Sequence, residues 1–280
     1  MSQYKYYYNK LFAVLESIYS KRESGNIAKL YFEDRFGISI PEDTVIIDED
    51  IFNSDLIRFQ NGEPLQYIVG KTFFYDSFFK VNKSVLIPRP ETEILVHEVI
   101  NSIENKNVKI LDIGTGSACI ALSIAKERPN TSITAIDVSE SALTIANQNK
   151  KSLNITNVKF KLMDFLDNRN WSKLENYDLI VSNPPYIKES EKKLMSDSTL
   201  RFEPKIALFP KNTDHLIFYK MIFEFAKSHL NPGGNIYCEI NEYTTDELKN
   251  IIKPYNYNWE FIHDLQGKPR VLHLFNTSDH

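Results

Sequence analysis

Between Val108 and Ile240 the chain alternates short, β-rich apolar runs with helical stretches, and that alternation limits the possible folds more than any other feature. Val108–Ile113, Ser132–Ile136, Val158–Met163, Tyr177–Val181 and Asn235–Ile240 predict strands. Ala118–Arg128, Glu140–Leu153 and Asp214–Leu230 predict helices, with Pro129 ending the first and Pro232-Gly233-Gly234 preceding the last strand. Near-continuous apolar strands separated by helices belong to a parallel sheet covered on both faces. The expected core is a doubly wound α/β domain.

The first 60 residues follow a different period. Leu11, Val14, Leu15 and Ile18 recur at i, i+3, i+4 and i+7, and Ile51, Phe52, Leu56 and Ile57 repeat the habit more weakly. Asn61-Gly62-Glu63-Pro64 and Gly70 then punctuate the chain, and Phe73–Val81 is aromatic and strand-like. These boundaries predict a small helical domain over residues 1–75, an extended connector over 76–90 and the α/β domain over 91–280.

Composition narrows the function. At 280 residues, 42% hydrophobic and 25% charged, the chain can bury a sizeable core, which excludes a disordered or disulfide-stapled scaffold. The net charge is −4, with −3 in residues 1–80 and −1 in residues 81–280. Proteins that grip nucleic-acid phosphates usually carry a basic excess, so no direct nucleic-acid binding is expected. Cys119 and Cys238 lack metal-ligand spacing, and His97, His215, His229, His263, His273 and His280 show no paired spacing, so no metal is expected. No apolar run reaches the length of a signal peptide core or a membrane span. A cytoplasmic protein with no membrane partner is the expectation.

Three strand ends carry candidate binding chemistry. The first runs into Gly114-Thr115-Gly116-Ser117-Ala118-Cys119, where the glycines permit a tight turn and close backbone approach and the helix start offers unpaired N–H groups. A dinucleotide fingerprint needs glycine where Cys119 stands, so a nucleotide-like ligand without a pyrophosphate fits better. Taken alone, the loop also suits a plain strand-to-helix turn. The second strand ends at Asp137, 21 residues after Gly116, where a carboxylate can accept from ribose hydroxyls or cap a helix near Ser139. The third ends at Asp164-Phe165, an acceptor for an adenine amine beside a ring. Together they place a ligand at the carboxyl edge of the sheet.

The fourth strand ends in Asn183-Pro184-Pro185-Tyr186. Two prolines remove two backbone donors, so the ladder stops, and they hold Asn183 and Pro184 extended. The Asn183 side-chain oxygen and the Pro184 carbonyl then form two acceptors at one rigid point, with Tyr186 a flat face beside them. Two acceptors and a ring suit a planar NH₂ group. An amide nitrogen is a poor nucleophile because its lone pair is shared with the carbonyl. Accepting both its hydrogens returns density to nitrogen and stabilises the charge that develops as it attacks an electrophilic methyl. That attack requires no acid–base residue.

In these motifs the chain resembles S-adenosylmethionine-dependent amino methyltransferases, and more narrowly the peptide chain release factor glutamine methyltransferases (HemK-type). The likeness covers nearly the whole chain in order. It includes Gly62-Glu63-Pro64-Leu65-Gln66-Tyr67-Ile68-Val69-Gly70 and Val85-Leu86-Ile87-Pro88-Arg89-Pro90-Glu91-Thr92-Glu93, which are more family-specific than the glycine loop. The glycine loop, Asp137, the Asn-Pro-Pro-Tyr turn, Phe202-Glu203-Pro204 and Gly267-Lys268-Pro269-Arg270-Val271 follow.

The resemblance implies a Rossmann-like methyltransferase domain with S-adenosyl-L-methionine as cofactor and S-adenosyl-L-homocysteine as product. It implies a monomer whose helical domain docks a class I peptide chain release factor and whose site methylates the glutamine of the factor's Gly-Gly-Gln motif. Gly114, Thr115, Gly116, Ser117, Ala118 and Asp137 would bind the cofactor, with Asp164 and Phe165 bracketing its adenine. Arg89, Pro90 and Thr92 would sit at its methionine end, near Asn183. Pro90 and Thr92 equally suit the first turn of a helix. Asn183, Pro184 and Tyr186 would be catalytic, the first two accepting the glutamine amide hydrogens while Pro185 and Tyr186 wall the amide plane.

The sequence departs from the family pattern at four places. Ala118 replaces a common glycine, a change tolerable at negative φ. Phe165 replaces a frequent tryptophan and so lacks an N–H donor. Asn241 replaces a glycine after Glu239-Ile240, and Thr244 replaces a glutamine. Two alternative substrates share the planar NH₂ chemistry: a glutamine of a ribosomal protein, and the exocyclic amine of adenine in DNA. The acidic charge and the lack of a basic recognition segment weigh against DNA.

Overall fold

The computed structural model describes residues 3–38, 46–104, 107–210 and 214–275. The chain divides into two bodies, Met1–Lys71 with Ser196–Phe202, and Thr72–Met195 with Glu203–His280.

The first body is helical: α1 (Gln3–Leu15), α2 (Lys21–Phe36), α3 (Glu49–Gln60) and α4 (Leu65–Val69). Ser20 caps α2 by accepting the Glu23 amide, and Asp48 caps α3 by accepting the amides of Asp50 and Ile51. Leu11 and Leu15 are fully buried, but α1 stops at Leu15, so Ile18 falls beyond the helix and is exposed. In α3 the core face is Phe52, Leu56 and Phe59, while Ile51 and Ile57 face outward. Asp55 is buried on that face, accepting the Tyr31 hydroxyl at 3.1 Å and pairing with Arg35 at 2.9 Å.

The second body opens with a hairpin of β1 (Lys71–Phe74) and β2 (Ser77–Lys80), joined through Tyr75 and Asp76, both at positive φ. Its alternation buries Phe74 and Phe79 and exposes Phe73 and Phe78. The segment expected as a connector, 76–90, therefore contains β2 and groups with this body, and the division falls after Lys71. Helix α5 (Pro90–Ser102) follows, with proline at its first position.

Then come β3 (Lys109–Ile113), α6 (Cys119–Glu127), β4 (Ser132–Asp137), α7 (Glu140–Ser152), β5 (Val158–Leu162) and β6 (Tyr177–Ser182). The helix Ile217–His229 leads into β7 (Leu230–Glu239), and the chain closes with β8 (Asn258–His263) and β9 (Pro269–Phe275). The seven-stranded sheet has the order β5-β4-β3-β6-β7-β9-β8. Strands β3 to β7 run parallel; β9 is antiparallel to both β7 and β8. Ile110 and Leu179 point into one core layer with Val96 of α5 and Leu122 of α6, while Leu111 and Ile180 point into the other with Tyr219 and Phe223. This is the doubly wound α/β architecture the alternating pattern implied, and the Rossmann-like fold implied by the resemblance.

Strand order reverses between β3 and β6, and that reversal opens a crevice beyond the carboxyl ends of both strands. The Ser182 hydroxyl donates to the Ile113 carbonyl at 2.8 Å, tying the two ends together. The residues that follow are Gly114 and Asn183.

Candidate active site

A cleft open to solvent lies at this crevice. Gly114, Thr115, Gly116, Ser117, Asp137, Asp164, Phe165, Asn183 and Pro185 line it, joined by Arg89 and Thr92 from the start of α5. Ala118, Pro184 and Tyr186 do not line it.

The loop after β3 is shaped by its glycines. Gly114 and Gly116 have φ of 75° and 55°, and a Cβ at either would project into open space. The amides of Gly114 and Thr115 both donate to the Ile136 carbonyl at 3.0 Å. The Gly116 amide donates to Asp137 Oδ2 at 2.8 Å, and Asp137 Oδ1 accepts the Ser139 amide at 2.9 Å. Asp137 therefore pins the loop and steadies the start of α7 with the same carboxylate. Burial pushes its pKa up, against the backbone amides that favour its charge. Under the loop, Asp112 is fully buried and accepts the Thr115 hydroxyl at 2.5 Å; burial pushes this carboxyl up to about 7.

Ala118 corrects an expectation. Its φ is +63°, in the left-handed region, where the family's glycine costs nothing and an alanine is strained. The residue is wholly buried, and its amide donates to the Thr115 carbonyl at 2.7 Å, so the loop imposes the conformation.

At the end of β5, Asp164 Oδ1 accepts the Leu166 amide at 3.0 Å. Phe165 is buried, its ring 5.7 Å from Trp171 and 5.5 Å from Phe225, and Trp171 Nε1 donates to the Phe165 carbonyl. Arg89 is ion-paired with Glu203, which also accepts the Ile87 amide at 3.2 Å. Burial pushes the Cys119 thiol up to about 12, so the thiol stays protonated at neutral pH.

Beyond β6, Asn183 Nδ2 donates to Thr92 Oγ1 at 3.2 Å, and the Thr92 hydroxyl donates to Glu239 Oε2 at 2.6 Å. The Tyr186 hydroxyl donates to Glu239 Oε1 at 3.1 Å, and its ring packs into the core layer opposite α5. Among the described residues, no donor occupies Asn183 Oδ1 or the Pro184 carbonyl. Thus neither acceptor of the turn is taken by a described donor, while the amide nitrogen of Asn183 is held by Thr92 and Pro184 itself is buried.

Residues 104–275 match a family model described as a methyltransferase domain. A methyltransferase from Pyrococcus furiosus shares the fold, with a TM-score of 0.50 and 20% identity over 71% of this chain and 89% of that one. A release factor glutamine methyltransferase from Flavobacterium psychrophilum is 42% identical over 78% of this chain and 77% of its own. Another, from Bacteroides thetaiotaomicron, is 37% identical over 92% of this chain and 95% of its own. The chain belongs to the release factor glutamine methyltransferase family.

Three residues that hold this methyltransferase's site side chains in place were given no site role from sequence, although Glu203 and Glu239 stand in family motifs. Glu239 and Glu203 are buried carboxylates reached only through the fold. Asn149 of α7 is fully buried; its side chain accepts the Lys80 amide at 2.7 Å and donates to the Ser117 carbonyl at 2.9 Å, clasping the loop to the hairpin. Among the described residues no group of three His, Cys, Asp or Glu side chains could hold a metal ion, and no described helix is long and apolar enough to cross a membrane. His280 lies outside the described residues.

Proposed function

We propose that this protein transfers a methyl group to the side-chain amide nitrogen of the glutamine in the Gly-Gly-Gln motif of class I peptide chain release factors. The observation that carries the reading is Asn183, which lines the cleft at the strand reversal with Nδ2 bonded to Thr92 and Oδ1 unpaired among the described residues, followed by the Pro184 carbonyl, likewise unpaired among them. The names of the relatives supply the substrate class.

The cleft fits S-adenosyl-L-methionine. The glycine loop leaves open space where a Cβ would stand, and the strand-end carboxylates and the start of α5 line the same cleft. Gly114 to Ser117 would present backbone to it, Asp137 would accept its ribose hydroxyls, Asp164 and Phe165 would hold its adenine, and Arg89 and Thr92 would meet its methionine end, while Ala118 would only shape the loop beneath. When bound, it supplies an electrophilic methyl and leaves as S-adenosyl-L-homocysteine.

The chain's own task is to make an amide nitrogen nucleophilic. Asn183 Oδ1 and the Pro184 carbonyl each accept one N–H of the incoming glutamine. They draw its lone pair out of conjugation and stabilise the positive charge that builds on nitrogen. Holding the nitrogen in line contributes on the order of 7–11 kcal/mol to lowering the barrier. Tyr186 braces the turn through Glu239, and Pro185 lines the approach. After attack the positively charged N-methyl amide loses one N–H proton to solvent, a strongly acidic proton that needs no dedicated base. The helical body, residues 1–75 in the sequence-based division, would dock the release factor, and the enzyme would work as a cytoplasmic monomer.

The test is transfer of labelled methyl from S-adenosylmethionine to three acceptors side by side. They are a class I release factor, the same factor with its Gly-Gly-Gln glutamine changed to alanine, and duplex DNA. Label on the first alone is expected; label on DNA, or on the alanine variant, overturns the substrate assignment.

A further inference from the structure

Glu239 ends β7 with its side chain buried, and its two oxygens face two different parts of the site. Oε2 accepts the Thr92 hydroxyl from α5, and Oε1 accepts the Tyr186 hydroxyl from the turn after β6. A hydroxyl has one proton to give. Because Thr92 gives its proton to the carboxylate, it can only accept from Asn183, so Asn183 must turn Nδ2 toward Thr92 and Oδ1 away from it. A carboxylate accepts and never donates, which gives the chain of bonds from Asn183 through Thr92 one direction.

We propose that Glu239 is a positioning residue: acting through Thr92, it sets which end of the Asn183 amide faces the acceptor, and it locks Tyr186 to the same carboxylate. The proposal rests on the reading of Asn183 Oδ1 as an acceptor for the substrate amide. Were the amide reversed, an NH₂ would oppose an NH₂ and the reacting nitrogen would lose one of its two acceptors. Glu239 lies 147 positions from Thr92 and 53 from Tyr186, so the sheet alone brings the three together.

Glu239→Gln puts an NH₂ donor against either Thr92 or Tyr186 and removes the one-way character of the network. The expected result is a fall in kcat of about 10- to 100-fold, with cofactor Kd and release-factor KM within about threefold of wild type. Thr92→Val should lower kcat similarly, and Thr92→Ser, which restores the hydroxyl, should recover it. If Glu239→Gln fails to fold, that pair tests the Thr92 link, with a cofactor Kd within about threefold of wild type in Thr92→Val separating it from the contact Thr92 would make with the cofactor. A second readout needs no release factor: hydrogen exchange of the Asn183 side-chain amide in ¹⁵N spectra, assigned by its loss in Asn183→Asp. Exchange should quicken in Glu239→Gln and Thr92→Val and return in Thr92→Ser. Unchanged exchange, or kcat within about twofold of wild type in both variants, overturns the proposal. A wild-type protein that methylates no release factor would instead remove the proposed function, leaving the exchange measurement to judge Glu239.

Discussion

The Gly116 amide donates to Asp137 Oδ2 across 2.8 Å, so the residue expected to meet a ribose also holds the loop that would meet the rest of the cofactor. A charge-assisted bond of this kind contributes about 1.5–3 kcal/mol. Asp137→Ala removes it together with the acceptor for the ribose. Cofactor Kd, measured by calorimetry, should rise by about tenfold or more, with Asp137→Asn in between. A Kd within about twofold of wild type in Asp137→Ala would contradict the assignment.

Ala118 offers a test of strain. Replacing it with glycine relieves a left-handed conformation costing roughly 1–2 kcal/mol and removes one buried methyl worth about 0.8 kcal/mol. Ala118→Gly should therefore stabilise the protein by up to about 1 kcal/mol, seen as a rise in Tm. A fall in Tm would show that packing of the methyl outweighs the backbone term.

The Arg89–Glu203 pair anchors the segment that leads into α5. Glu203 is almost wholly buried while Arg89 is about a third exposed, so removing the arginine leaves a buried carboxylate whose one other partner among the described residues is the Ile87 amide. Arg89→Ala should cost about 2 kcal/mol in urea unfolding, less than a fully buried pair because the arginine is partly solvated. A loss under about 0.5 kcal/mol would mean that water already satisfies Glu203.

Much of this arrangement was legible in the sequence, for identifiable reasons. Strands β3, β4 and β6 are apolar on both faces, so Ile110, Leu111, Ile180 and Val181 announce a covered parallel sheet. The expected helix Asp214–Leu230 begins three residues late, at Ile217, and β7 starts five residues before the expected Asn235. Strands β8 and β9 went unread: β8 has no clear apolar face, with Asn258, Trp259 and Glu260 exposed at the sheet's edge, while β9 is interior and its apolar Val271, Leu272 and Leu274 are interrupted by His273. Glu239 was missed because its partners lie far away in the chain. Yet it closes an apolar strand, Ile236-Tyr237-Cys238-Glu239, as Asp137 closes another, and the same strand-end reasoning would have found it. The left-handed φ of Ala118 was hinted at only by the glycine common at this position in the family, and the turn's geometry reveals it.

Asp112 makes a prediction about pH. Its carboxyl is pushed up to about 7 by burial, so the folded state holds a proton that the unfolded chain releases near its ordinary, lower pKa. For an acid raised on folding, stability is greatest at low pH and is lost as pH rises toward 7. Asp112→Asn keeps an acceptor for the Thr115 hydroxyl and cannot ionise. Urea unfolding at pH 5 and pH 8 should show a larger loss between the two for wild type than for the variant. Equal losses would show that Asp112 keeps its charge at little cost.

The central claim is that Asn183 and Pro184 activate a glutamine amide, and the most direct measurement is to locate the methyl. A class I release factor incubated with S-adenosylmethionine and the enzyme should yield, by tandem mass spectrometry, one added methyl on the side-chain nitrogen of the Gly-Gly-Gln glutamine. Asn183→Ala should yield none under the same conditions while still binding the cofactor. A methyl on any other residue, or wild-type turnover in Asn183→Ala, would contradict the account.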